Sequence, residues 1–466
     1  MHHRHLLGAL LCFLAACGGG GGGGGADAVS KGPALPAVPS WQAPVSLADS
    51  GYQDGALLAG DGKGGVFAAW TRTGTDAGGT PYWEQVAARL RADGIWETPQ
   101  VMDVTSGSNR FQTPVAALDA RGKGFVAWLE AVPRSTTTLM RTVSVDLGAG
   151  SPFGTRTTAL AVDLKNPSDL HLATGADGSA LAAWSVLRTD ASLGVDFNIV
   201  QVARLEAGGA WGAPHSHHLN MYSRQFIHDL VGDGRGAYTL DFSTGDDAWV
   251  DNEAVDYALG TSTATGIGGW QPLSQQALPT GHPPVWSLAA DGRLETWLLY
   301  GVAGEGDPRR QAWPRSRSAS GAWTVGEKVN LPLPATSLAA FREADGAGWM
   351  AGTGPEGLWV APLSGLSPGA ARTLLPAATR TEGLVGARDA SGRPVLLWIQ
   401  RGSAGAYEGI GFSRWDGTAW TSSTILSGTA GKTIQRLVAQ PGPGGLLAGW
   451  VEVGDRILLF RTALWR

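Results

Sequence analysis

PVAALDARGKGFVAW, residues 114–128, is the stretch that decides the fold. An apolar run from Val115 to Leu118 is followed by the polar turn Asp119-Ala120-Arg121-Gly122, and a second apolar run closes on Trp128. Two short apolar runs joined by a Gly-containing turn predict a β-hairpin, because glycine supplies the positive φ that a tight reversal needs. Outward from this stretch the second half of the pattern recurs. It appears as GGVFAAW ending at Trp70, GSALAAW at Trp184, GAYTLDF at Phe242, GRLETW at Trp297, GAGWMAG at Gly352, GRPVLLW at Trp398 and GGLLAGW at Trp450. With Trp128 these make eight marks at intervals of 58, 56, 58, 55, 55, 46 and 52 residues.

A second marker keeps step with the first: a Trp opens a short segment that ends in Leu or Met, at Trp41, Trp96, Trp211, Trp270, Trp323 and Trp420, with Phe153 in the same place. Between the markers lie two further strand-like runs, such as PVAALD at 114–119 and IVQVARL at 199–205. Four short strands per repeat of this length predict an all-β chain, a single eight-bladed β-propeller of four-stranded blades over residues 41–466, since solenoid repeats are shorter. The sixth copy lacks the aromatic at Gly352, and the seventh lacks the Trp marker near Arg372. The repeats start on the Trp41 strand and stop after a strand at 456–463. Pairing of the N- and C-terminal strands is therefore expected to close the ring and leave no open edge.

Composition fits this architecture and excludes others. The chain has 69 Gly, 26 Pro and 20 Trp but only 16% charged residues, as expected of many short strands joined by tight turns. A net charge of −5 gives no basic surface for nucleic acid. The recurring tryptophans, each with alanine beside it, are expected to pack between blades rather than to hold a ligand.

The N-terminus reads as an address. Arg4 precedes an apolar stretch from Leu6 to Ala16, and Leu14-Ala15-Ala16 leads into Cys17. This resembles the lipobox of bacterial lipoproteins, which implies a signal peptide at 1–16, cleavage before Cys17 and acylation of its thiol. The alternative is an ordinary cleaved signal; a spanning helix needs about twenty apolar residues, and only eleven occur here. Cys12 is the only other cysteine, so no disulfide framework accounts for Cys17. Gly18 to Gly25 and a Pro-containing stretch to Ser40 give residues 17–40 the composition of a flexible tether. Gly18, rather than Asp, after the cysteine implies the outer membrane under the sorting rule of that family. The expected partners are the membrane through the lipid anchor and an envelope protein or glycan, with the chain a monomer.

The pattern A-x-D-x-x-G-x-x-x-A-W, with a V-A-R-like strand and a G-x-W turn, resembles sialidase-like repeats of bacterial surface proteins and is similar to the Asp-box of sialidase propellers. The Asp-to-Trp distance here is seven to nine, longer than in that motif, and no Arg-Ile-Pro triplet occurs. The Asp-Gly and Gly-x-Trp turns are expected on one end of the sheets and the longer loops on the other, where binding normally sits. The fourth repeat departs most from the pattern. HSHHLNMYSRQFIHD, 215–229, carries His217, His218, Tyr222, Arg224 and His228, and STGDDAWVDNE, 243–253, carries Asp246, Asp247 and Trp249. Imidazoles and carboxylates on one rim suit metal binding or acid–base work; the bland reading is a polar loop, because adjacent His217 and His218 on a strand point opposite ways and no zinc spacing is present. Arg110, Arg224, Arg380 and Arg436 recur at equivalent loops, a pattern able to hold a carboxylate or sulfate, though surface arginines are common. No catalytic residue, metal or cofactor is assigned, and no Walker or HExxH motif occurs. The expectation is a non-catalytic binding or scaffold propeller acting through its long-loop face. The alternative is a glycan-processing enzyme of sialidase-like shape.

Overall fold

The computed structural model describes residues 40–47, 56–106, 110–131, 137–148, 153–163, 165–175, 177–190, 195–217, 224–232, 238–245, 253–259, 270–277, 288–290, 294–300, 309–317, 323–325, 327–342, 347–402, 404–426, 428–453 and 458–466. These are strands and turns without a helix, and the strands group into eight antiparallel sheets with four strand positions each. The third sheet shows the plan: Lys165–Thr174 pairs with Ala180–Asp190, that with Val195–Leu205, and that with His215–His217. Among the described residues the first strands of most successive sheets lie against one another, as Leu57–Gly60 does with Val115–Leu118 and Arg380–Arg388 with Thr433–Gly442. This is a propeller-like arrangement, with the first strand of each sheet innermost.

The last sheet is completed from the other end of the chain. Thr433–Gly442, Gly445–Val453 and Leu458–Trp465 supply three positions, and Val45–Ser46 supplies the fourth by pairing with Thr462 and Arg461. Ser40 N donates to Arg466 O at 3.1 Å, and Trp41 bridges to Trp465.

The aspartates of the repeat stand in the turns between first and second strands, and they cap them. Asp61 Oδ1 accepts from the backbone N–H groups of Lys63 and Gly65 (2.7 and 3.0 Å), and Asp119 Oδ1 from Arg121 and Lys123 (2.8 and 3.0 Å). Asp389 does the same for Ser391 and Arg393 (2.8 and 3.0 Å), and its other oxygen accepts from Arg414 Nε at 2.6 Å. Gly122 and Gly392 follow at φ +77° and +80°, the conformation that made glycine necessary. Turns between third and fourth strands, such as Arg91–Gly94 and Glu206–Gly209, emerge at the same end. That end is called the short-turn end and the opposite one the long-loop end.

Apolar clusters form between neighbouring sheets. Trp70 and Val86 pack with Leu447 and Phe460, and Phe67 packs with Val126 and Trp128. Trp70, Trp128, Trp184, Trp398 and Trp450 are fully buried, so the recurring indoles are packing groups. Burial of each is worth about 4–6 kcal/mol of transfer free energy as an upper bound. In the sixth sheet the ring has changed strands. Gly352 on the second strand is the direct partner of Trp359 on the third, and a Cβ at Gly352 would overlap that indole. Cross-strand partners share a face, so Trp359, fully buried, fills the space that Trp398 fills from the second strand opposite Gly411.

Candidate functional site

The four recurring arginines all stand on first strands at the long-loop end. Arg110 begins Arg110–Phe111 and pairs with Ala131, Arg224 begins Arg224–Gly232 and pairs with Gly245, and Arg380 begins Arg380–Arg388 and pairs with Arg401. Arg436 lies three residues into Thr433–Gly442. Arg380 and Arg436 are exposed. His217 ends the fourth strand of the third sheet opposite Val200, and His228 lies in the first strand of the fourth. His218, Tyr222, Asp246, Asp247, Trp249 and Cys17 lie outside the described residues. Among the described residues no three His, Cys, Asp or Glu side chains converge as a metal site.

A feature absent from the sequence reading recurs on the same strands. In five sheets the first strand carries one residue more than its partner at the long-loop end: between Phe111 and Val115, Ser168 and His171, Ile227 and Asp229, Glu382 and Val385, and Gln435 and Val438. Such bulges bend a strand and re-aim its side chains, and they concentrate beside functional sites. Three hold a residue in the left-handed region: Asp169 at φ +52°, Gly383 at +55° and Arg436 at +49°. For Asp169 and Arg436 this conformation costs of order 1 kcal/mol or more, a strain that persists only where the surrounding pairing enforces it. His228 occupies the bulge of the fourth sheet. Beside Asp169, burial holds the His171 imidazole below its ordinary value, which favours the neutral ring.

The rim at this end is tied by charge. Arg72 Nε donates to Glu84 at 2.6 Å and Arg141 Nε to Glu130 at 2.7 Å. Arg401, the partner of Arg380, donates to Tyr407 Oη at 2.6 Å, stacks over that ring at 4.0 Å and pairs with Glu382 at 2.9 Å. Thus a cation, a phenol and a carboxylate meet beside Arg380. Sequence reasoning missed Arg401 and Tyr407 because only the register brings them to Arg380.

No protein-family model matches the chain. No curated protein matches it either. Among solved structures, a protein of unknown function from Dyadobacter fermentans is 10% identical, with 76% of this chain and 94% of that one covered and a TM-score of 0.39. The β-propeller domain of the Trilobed protease from Pyrococcus furiosus, described as having an open velcro topology, is 10% identical over 81% and 96% of the two chains, with a TM-score of 0.40. A leech intramolecular trans-sialidase is 10% identical over 81% and 93%, with a TM-score of 0.38. These likenesses carry no inference about activity; the propeller-like architecture rests on the strand pairing described above.

Proposed function

We propose that this chain is a lipid-anchored protein of the bacterial envelope, an eight-bladed propeller closed by the Val45–Ser46 strand, whose long-loop end binds an envelope protein or glycan without catalysis. The observation that carries it is the recurrence of bulged, strained first strands at the long-loop end, with Asp169, His228 and Arg436 at the bulges. The test is photo-cross-linking in cells from the full-length chain, with the probe placed at Arg380 or, as the opposite-end control, at Lys63. The expected result is a discrete adduct from Arg380 alone. Equal labelling from both positions, or none from either, refutes the proposal.

The Arg401–Tyr407–Glu382 group favours a second reading, a glycan-processing site of sialidase-like shape. Turnover of a fluorogenic sialoside that is lost in Tyr407→Phe supports that reading; no turnover removes it.

A further inference from the structure

A second site lies at the other end of the molecule, between the second and third sheets. Two hollows of about 330 and 420 Å³ open there and share Phe125, Ser144 and Gly178, so they form one groove. Its size falls in the range of about 300–1,000 Å³ usual for small-ligand sites. Phe125 forms the floor, with Phe153 in one hollow and Trp211 in the other. All three rings are only partly buried.

The groove exists because of one register position. Phe125 is the direct partner of Ser144; at the same place the first sheet pairs Phe67 with Arg89, and the third pairs Leu181 with Arg204. Those arginines are long and partly or fully buried, with Arg204 only 6% exposed. In the second sheet the side chain in that place is short, and the space beside the ring stays open. The neighbouring row continues the small polar surface, since Thr142 and Thr157 face each other with their hydroxyl oxygens 2.9 Å apart. Elsewhere the marker ring closes on the preceding sheet directly: Phe153 meets Phe67 at 5.9 Å between centroids, and Trp420 meets Trp349 at 5.5 Å. The corresponding rings of the second and third sheets, Phe125 and Trp211, both line the hollow instead.

We propose that this groove binds an uncharged oligosaccharide. Flat aromatic faces suit the C–H faces of a sugar ring, and hydroxyls exchange hydrogen bonds with sugar hydroxyls in either direction. The only full charges in the lining, Lys123 and Asp146, pair with each other at 3.2 Å, so nothing in the groove calls for an anion. An extended peptide is disfavoured because the strands beneath, Lys123–Ala131 and Thr137–Asp146, already have a partner on both sides and offer no backbone edge. The site stands at the short-turn end and is independent of the long-loop reading.

The experiment titrates the full chain, purified in detergent micelles, with maltotetraose, cellotetraose or chitotetraose, and with 3′-sialyllactose as the anionic comparator. Binding is read by calorimetry and tryptophan fluorescence. At least one neutral tetrasaccharide is expected to bind saturably and more tightly than the comparator. Ser144→Arg, which restores the filler of the neighbouring sheets, is expected to weaken that binding about tenfold or more at unchanged circular dichroism and melting temperature. Trp211→Ala, at a partly exposed position, is the second variant and is expected to weaken it as well. Failure of all three neutral probes to bind, tighter binding of the comparator, or unchanged affinity in the folded variants overturns the proposal, and none of these results bears on cross-linking from Arg380.

Discussion

Exchanging the ring of the sixth sheet tests whether one indole per sheet, rather than one per second strand, is what the packing demands. Trp359 is fully buried beside Gly352, so Trp359→Gly alone empties the site of an indole and is expected to cost about 3–5 kcal/mol. Gly352→Trp alone forces a second indole into the space that Trp359 occupies and is expected to cost about 1–3 kcal/mol or more. If the effects were independent, the double variant would be the least stable of the set. Because the two positions are direct cross-strand partners on one face, the double variant instead recreates the Trp398–Gly411 arrangement of the next sheet. It is expected to return to within about 2 kcal/mol of the parent, a coupling larger than that of distant sites. Urea unfolding followed by far-UV circular dichroism measures all four proteins. A double variant no more stable than Trp359→Gly refutes the equivalence of the two positions.

Two further outcomes follow from the strained and buried polar groups. Arg436→Gly relieves the left-handed strain and is expected to raise stability by up to about 1 kcal/mol while lowering the adduct yield from Arg380, as measured by urea midpoint and photo-cross-linking; reduced stability contradicts the assigned strain. Burial raises the Asp103 carboxyl above its ordinary value despite the ion pair with Arg156, so its contribution to stability is present below the unfolded carboxylate pKa and is lost as pH rises through the folded one. The urea midpoint of the parent relative to Asp103→Asn is therefore expected to fall as pH rises above the ordinary carboxylate range, and a difference that rises with pH contradicts this assignment.

The strands and their grouping were legible because hairpin signals are local: an aspartate, a glycine one or three residues on, and an apolar run ending in an aromatic. The rest depends on register. Nothing local distinguishes Gly352 followed by Trp359 from a repeat that has lost its ring, since the two residues meet only once their strands pair. The bulges escaped for the same reason, because an extra residue is defined by its partner strand. In Arg380-Thr381-Glu382-Gly383-Leu384-Val385 no alternation marks the place. The arginines at strand starts were legible as a recurring residue type, whereas the approach of Arg401 and Tyr407 to that position was not. Ser144 is inconspicuous in sequence and conspicuous only against Arg89 and Arg204 in the same register.

The central claim, a ring closed between the chain's two ends, is tested most directly by a disulfide across the closing strands. Ser46 and Arg461 are direct partners, so Ser46→Cys with Arg461→Cys, in a Cys12→Ser/Cys17→Ser background, places two thiols across one antiparallel pair. The account predicts an intramolecular disulfide on mild oxidation, seen as faster migration on a non-reducing gel and a higher melting temperature. Thiols that stay reduced, or that link only different molecules, contradict the closed ring.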